Sequence, residues 1–440
     1  MTLRTVAEPA RPPGVRVVLD ARPLQDPGRA PVTAAYLASL LGAFDQRPLP
    51  GESFALLLRS DLDDPTQGLD HLEIVGRRLL PPTGLLRSAA QTLDPFLLRG
   101  AALGAAWRAE RRGAHGAVYH AVGAGTLPIA SGLPLVVTIL DLAPWELPET
   151  FANAAAARFG HRLRSRLMRD AAALIVGTEA VARSARHLLH VRPERVHVVP
   201  IAPRPAFAAP LSDSAGETAG ESPTDGDDAV RLGLGPRYLV YTGRYDARQD
   251  LATLLGALAA LAAAGRPAGL PDDVTWPPRV LLVGASPDDR ASLARNAARQ
   301  GVGDILAYAP ALSEPRLATL LRGARAALLP VLSDSTGLAA IESMATGTPV
   351  VASAVGAIPE LVGPAGLLVP PGDVDRLAIA LRTIWADDQV HDGITAATRE
   401  RAATERRTWS QVAEATRAVY AAVGVRAASE PTGSRSRPQD

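Results

Sequence analysis

The stretch Leu329–Ser353, LPVLSDSTGLAAIESMATGTPVVAS, decides how the chain is to be read. A short apolar strand ends near Pro330, and a polar loop, Ser333-Asp334-Ser335-Thr336, leads into Gly337. Helical spacing then runs from Leu338 to Thr346. Gly347 and Pro349 close that helix, since glycine is favoured just past a helix end and proline cannot continue one. A β-branched run restarts at Val350. Strand, helix and strand in close succession form the unit of a parallel sheet. A helix N-terminus with a glycine and hydroxyl side chains offers backbone amides and a positive dipole end, a good seat for a diphosphate. Glu342 lies about a turn and a half inside the helix, and its side chain leans back toward that end. It suits the ribose hydroxyls of a nucleotide, or it is an ordinary surface residue of a capped helix.

The same alternation extends in both directions. Downstream of residue 233, strands are expected at Tyr238–Thr242, Val280–Val283, Ile305–Tyr308, Ala326–Leu329, Val350–Ala352 and Gly366–Val369. Helices are expected at Leu251–Ala263, Ala291–Gln300, Glu314–Gly323, Val374–Trp385 and Trp409–Val423. Upstream, strands are expected at Val15–Leu19, Phe54–Leu58, Val118–His120, Leu135–Leu140, Leu174–Val176 and Val196–Pro200. Helices fit Thr33–Phe44 and Phe159–Ala173. Short buried strands alternating with helices predict an α/β class with two doubly wound, Rossmann-like domains. Residues 208–233 are small, polar and acidic and predict a flexible linker or insertion. The expected organisation is an extension at 1–13, a first domain at 14–207, that linker, a second domain at 234–385, C-terminal helices at 386–424 and a disordered tail at 425–440. Open α/β sheets place ligands at the carboxyl ends of their strands, so a cleft between the domains is the expected site.

Composition narrows the chemistry. The 440 residues are 47% hydrophobic and 21% charged, ordinary for a globular protein. There is no cysteine, which removes disulfides, thiolate chemistry and cysteine-held metal. There is no lysine either, so every one of the 46 basic residues is an arginine. A task usual for an ammonium must fall to a guanidinium or go undone. No apolar run is long enough to span a membrane and Met1–Val15 has no apolar signal core, which predicts a cytoplasmic protein. Residues 1–207 hold 24 Arg against 18 acidic residues, and residues 208–440 hold 22 against 27. The basic first half suits an anionic partner, or is a surface imbalance without function. Arg158, Arg162 and Arg166 flank an apolar stripe of Phe159, Leu163 and Leu167. Such a helix can lie on an anionic membrane at its inner face, or pack on its own sheet.

The segment quoted first resembles the signature of family 4 glycosyltransferases, retaining enzymes of the GT-B fold. Their two acidic residues eight apart stand here as Asp334-S-T-Gly337-Leu338-Ala339-A-I-Glu342, and Met344-Ala-Thr-Gly347-Thr-Pro349 and Gly356-Ala-Ile-Pro359-Glu360 continue the pattern. A second match is Tyr238–Leu258, a strand followed by Gly243-Arg244. Val283-Gly284 ends a strand as in the family, and Ile305–Pro310 with Tyr308 occupies the strand whose end meets the nucleotide base. The resemblance implies a nucleotide-sugar donor, UDP- or GDP-linked, with no cofactor and no obligatory metal. It implies that Asp334 faces the donor sugar and Glu342 the ribose. Ser335, Thr336 and the amides near Gly337, Leu338 and Ala339 would receive the diphosphate, with Gly243 and Arg244 opposite. Arg244 would clamp diphosphate oxygens and offset leaving-group charge.

Three positions depart from the pattern. Gln249 replaces the expected lysine, with Arg248 beside it; Asp334 replaces a glutamate; and Leu140 replaces the histidine before Asp141. On the first domain, Asp141, Thr178, Glu179 and His120 are the acceptor-side candidates, and Tyr36 matches the tyrosine of the first long helix. A lone histidine at a strand end is also commonly structural. The expected activity is hexosyl transfer to an acceptor hydroxyl on a glycan, a lipid-linked or a small-molecule acceptor, with no nucleic acid involved. The three departures leave a second reading, a catalytically inactive protein that binds nucleotide sugars or scaffolds partners. A pyridoxal-dependent phosphorylase of the same fold is excluded, because no lysine exists to hold the cofactor.

Overall fold

The structure is a computed structural model that describes residues 15–80, 117–129, 132–151, 155–208, 229 and 231–429. The first sheet holds β1 (Arg16–Asp20), β2 (Ser53–Arg59), β3 (Ile74–Leu80), β4 (Val118–Val122), β5 (Leu135–Thr138), β6 (Ala173–Val176) and β7 (Val196–Val198). Their order is β3-β2-β1-β4-β5-β6-β7, every neighbour parallel. The second holds β8 (Leu239–Tyr241), β9 (Val280–Val283), β10 (Leu306–Ala309), β11 (Ala326–Leu329), β12 (Val350–Ser353) and β13 (Gly366–Val369). Their order is β10-β9-β8-β11-β12-β13, again all parallel. Helices cover both faces, so central strands are buried throughout and almost wholly apolar: all four residues of β6, β9, β11 and β12 are buried, Ser353 being the polar one.

Strand order reverses direction between β1 and β4 in one sheet and between β8 and β11 in the other. At such switch points the connections leave to opposite faces, and a crevice opens beyond the strand ends. In the second sheet that crevice lies between the loop after β8, which carries Gly243 and Arg244, and the loop after β11, which carries Ser333–Gly337.

The terminal helix, Trp409–Ser429, belongs spatially to the first domain. Trp409, Val412, Tyr420 and Val423 are buried in the same core as Tyr36, Leu40 and Phe44. Trp409 meets Tyr36 edge to face at 5.4 Å between ring centroids. Arg417 forms a two-pronged pair with Glu52, at 2.8 and 2.6 Å, with both side chains almost wholly buried. The Arg417 guanidinium also lies over the Phe44 ring, 4.7 Å from its centroid.

Several expectations are adjusted. β3 is absent from the sequence reading: it is an edge strand whose Arg77 and Arg78 interrupt any apolar run. The helix expected to end at Ala173 spans Ala155–Arg169, because Ala173 already begins β6 beside β5. Within the C-terminal helices expected at 386–424, the first spans Asp388–Thr404, capped by Asp387 through the Val390 amide. The terminal helix passes the expected boundary at 424. Residues 1–13, 430–440 and most of the acidic segment 208–233 lie outside the described residues.

Candidate active site between the two domains

The helix Leu338–Ala345 is built to start abruptly. Gly337 adopts a left-handed φ of +60°, and a side chain there would collide with Leu361. Gly356, at φ +55°, presses so closely on the Asp334 carbonyl that any Cβ would overlap it, and the Ala357 amide donates to that same oxygen at 2.9 Å. Backbone freedom and close approach together fix the loop. Asp334 Oδ1 accepts from the Thr336 amide at 2.9 Å, the Gly337 amide at 2.8 Å and the Thr336 hydroxyl at 3.1 Å. Asp334 therefore closes a tight turn just ahead of the helix, and the Gly337 amide expected to receive a diphosphate is given to its carboxylate. The Leu338 amide reaches only Thr336 Oγ1, at 3.4 Å, while Leu338 and Ala339 are half-buried at the helix start.

Opposite lies the loop after β8. Arg244 Nε donates to Asp246 at 2.8 Å, and Arg248 Nη2 donates to the same carboxylate at 2.7 Å. Burial pulls the Asp246 carboxyl upward, but the two arginines outweigh it and hold it below its ordinary value. Arg248 also reaches across the cleft to pair with Asp141. Gln249 does not stand in for a lysine: its Oε1 accepts from the Tyr241 hydroxyl at 3.0 Å, within its own domain. Gly243 lies against the Tyr241 ring, where a Cβ would clash. Gly284 ends β9 at φ +80° with its amide on the Ala309 carbonyl. Tyr308, one residue from the end of β10, is stacked by Arg290 at 4.9 Å.

The first domain closes on this loop pair. The Leu142 amide donates to Ser335 Oγ at 2.9 Å, and the Ser333 hydroxyl donates to Glu146. Asp141, Glu146 and Asp334 thus converge. Burial raises the carboxyls of Asp141 and Glu146; Arg248 opposes this at Asp141, and Asp141 and Asp334 add to it at Glu146. Glu146 was missed from sequence. Its signal was weak, a single acid five residues after Asp141.

Other expectations change place. His120 does not face the cleft: it is fully buried, with Nε2 on Thr138 Oγ1 at 2.8 Å and Nδ1 on the Tyr420 hydroxyl at 2.7 Å. Burial depresses its pKa to about 3, so the ring is neutral. Thr178 is also buried and uses its hydroxyl oxygen to cap the helix Glu179–Leu189. Glu179 is exposed, and its amide and that of Ala180 donate to the Glu360 carboxylate of the second domain, at 3.0 and 2.8 Å. Glu342 is paired toward the connection between the domains. It is buried and held by Arg204, which follows β7, with Arg204 Nη2 donating to Oε2 at 2.9 Å and Nε to Oε1. Arg204 Nη1 holds Glu314 at 2.8 Å as well.

Two parallel, doubly wound sheets that meet across loops at their carboxyl ends define the GT-B class of glycosyltransferase folds. Residues 236–387, the second domain, match the family model described as glycosyl transferases group 1. The chain is 31% identical over 301 residues to D-inositol 3-phosphate glycosyltransferase of Jonesia denitrificans, a match covering 67% of this chain and 65% of that relative. Among solved structures, sucrose-phosphate synthase of Thermosynechococcus elongatus superposes with a TM-score of 0.67 at 21% identity, covering 94% of this chain and all of that one. Anabaena HepE in complex with UDP and glucose superposes with a TM-score of 0.65 at 18% identity, covering 93% of this chain and all of that one. Among the described residues, no helix is long and apolar enough to cross a membrane.

Proposed function

We propose that the protein is a glycosyltransferase that moves a sugar from a nucleotide-diphosphate sugar to an acceptor hydroxyl, with retention at the anomeric carbon. The observation that carries this reading is the pair Arg244 and Arg248 on one carboxylate in the loop after β8, with Arg248 reaching Asp141 next to the Leu142 amide that meets Ser335, at the switch point of the domain that matches the group 1 model. Both arginines are already oriented by Asp246, a single carboxylate beneath two cations. A diphosphate arriving there would find preorganised charge, and transfer of this kind needs leaving-group stabilisation more than a protein nucleophile. Arg248 takes the role expected of the absent lysine, and its Asp141 partner would be displaced by the phosphate oxygens. Glu146, with its raised carboxyl, and Asp141 suit the acceptor hydroxyl on the first-domain side. HepE, bound to UDP and glucose in its solved structure, supports a UDP-sugar as the first donor to try.

The acceptor is a sugar or cyclitol hydroxyl, by similarity to the Jonesia relative. The charge on the two arginines also suits turnover without a divalent ion. The test is transfer from UDP-, GDP- and ADP-sugars to inositol phosphate and simple sugars, with and without EDTA, and product anomers read by NMR. Retention with activity in EDTA supports the reading, whereas an inverted product or a strict metal requirement refutes the corresponding part of it.

A further inference from the structure

Behind the cleft, on the side of the connection between domains, lies a cavity of about 740 Å³. None of the expected donor residues lines it. Its walls come from the ends of β6 and β7, the C-terminal half of the helix Leu338–Ala345, and the turn from the helix Asp388–Thr404 into the terminal helix. The floor is apolar, with Ile341, Met344 and Leu361. Around it stand five arginines, Arg322, Arg399, Arg401, Arg406 and Arg407, against two carboxylates, Glu360 and Glu405.

The arginines are poorly neutralised. Glu360 already accepts the Glu179 and Ala180 amides, so it serves the first domain. Arg401 is fixed by the carbonyls of Leu361 and Glu360, at 2.6 and 2.7 Å, with Glu405 at 3.2 Å. Arg322 and Arg406 reach only carbonyls, those of Ala206 and Ala208, each at 3.4 Å. Arg399 and Arg407 are exposed and make no hydrogen bond or ion pair among the described residues. A chain with net charge +1 therefore gathers an uncompensated block of positive charge around one apolar hollow. Like charges so placed repel, and an anion held between them relieves the repulsion and gains bidentate hydrogen bonds.

We propose that this cavity binds an amphipathic anion, a phosphate or carboxylate head met by Arg399, Arg406 and Arg407 and an apolar body resting on Ile341, Met344 and Leu361. The site is independent of the donor reading, because it shares no residue with the Arg244–Asp334 cleft. An occupant would touch both domains at once, since Thr178 and Ile201 of the first line it with Met344 of the second. Two sources offer this chemistry, a soluble organic phosphate and a phospholipid headgroup.

Calorimetry with phenyl phosphate and inorganic phosphate tests the site, alongside sedimentation with phosphatidylcholine vesicles with and without phosphatidic acid. Phenyl phosphate should bind the intact chain more tightly than inorganic phosphate, because only it covers the apolar floor. The double variant Arg399→Ala, Arg407→Ala should weaken it by about tenfold or more, a factor suited to two lost charge-assisted contacts. Ala403→Trp, an exposed helical position on the lining, should block the cavity without disturbing a core. UDP affinity should be unchanged in both variants, which separates this site from the donor site. Capture by phosphatidic acid vesicles that is lost in the double variant assigns the headgroup source; binding of phenyl phosphate alone assigns the soluble one. Failure of phenyl phosphate to bind the intact chain, or equal binding by both variants, overturns the proposal.

Discussion

Arg204 and Glu342 form a two-pronged ion pair that ties the connection between domains to the helix of the acidic signature. The glutamate side chain is 6% exposed and the arginine 20%. Burial raises the Glu342 carboxyl, and Arg204 pulls against that rise. For Glu342 to reach a ribose, the nucleotide must share the carboxylate with Arg204 or displace it.

Arg204→Met should destabilise the protein by about 3–5 kcal/mol, since removing one partner leaves an uncompensated buried charge. The folded-state pKa of Glu342 lies above its ordinary 4.5, so from there upward the folded state holds more protons than the unfolded one. Its contribution is fully present below that value and is lost as pH rises through the folded pKa. Arg204→Met should raise the folded pKa further and deepen this loss. Urea denaturation against pH reads both effects, and an unchanged midpoint at neutral pH would show that the pair contributes nothing.

Glu342→Gln should weaken nucleotide binding by roughly 1–3 kcal/mol, the usual worth of a hydrogen bond to a charged group. Calorimetry that finds the same affinity for UDP would place Glu342 in the domain connection alone.

Arg244→Ala should lower turnover by about 10²–10³, the typical loss for one preorganised donor to developing charge. Arg248→Ala should cost a similar amount, because Arg248 points into the cleft and shares Asp246 with Arg244. Asp141→Asn should leave Arg248 freer and tighten UDP binding. Single-turnover rates and UDP affinities of the three variants check this set, and a fully active Arg248→Ala variant would restrict the leaving-group role to Arg244.

His120 gives the protein an acid-labile core. Its pKa is about 3 in the fold against 6.5 unfolded, so between those values the unfolded state binds the extra proton. Stability contributed by the neutral ring is present above pH 6.5 and is lost as pH falls toward 3. Tyr420→Phe should cost about 1–3 kcal/mol at neutral pH by stranding Nδ1. His120→Gln should flatten the acid limb of the stability curve, which equilibrium unfolding at several pH values would reveal.

Much of the second domain was legible from sequence because its signals are local. The strands Val280–Val283, Ala326–Leu329 and Gly366–Val369 and the helix Glu314–Gly323 match their expected bounds, each an apolar pattern framed by turn residues. β3 was not legible, since an edge strand exposes charged residues and loses the apolar signature. Asp334 and Gln249 were placed by pattern, but their partners, the Thr336 and Gly337 amides and the Tyr241 hydroxyl, depend on how the loops fold back.

The sequence by itself determined the class: alternating buried strands and helices, a glycine-started helix after β11, and an all-arginine supply of positive charge. Those features are settled by hydrophobic period, backbone conformation and residue type, which act within a few positions of the chain. Tertiary structure alone decided which charged and polar groups meet. Arg248 faces Asp141 across 107 positions, Arg204 faces Glu342 across 138, and His120 meets Tyr420 across 300. Each of these contacts forms because two distant elements are packed together by their apolar faces, and no local pattern records the partner that packing brings into reach.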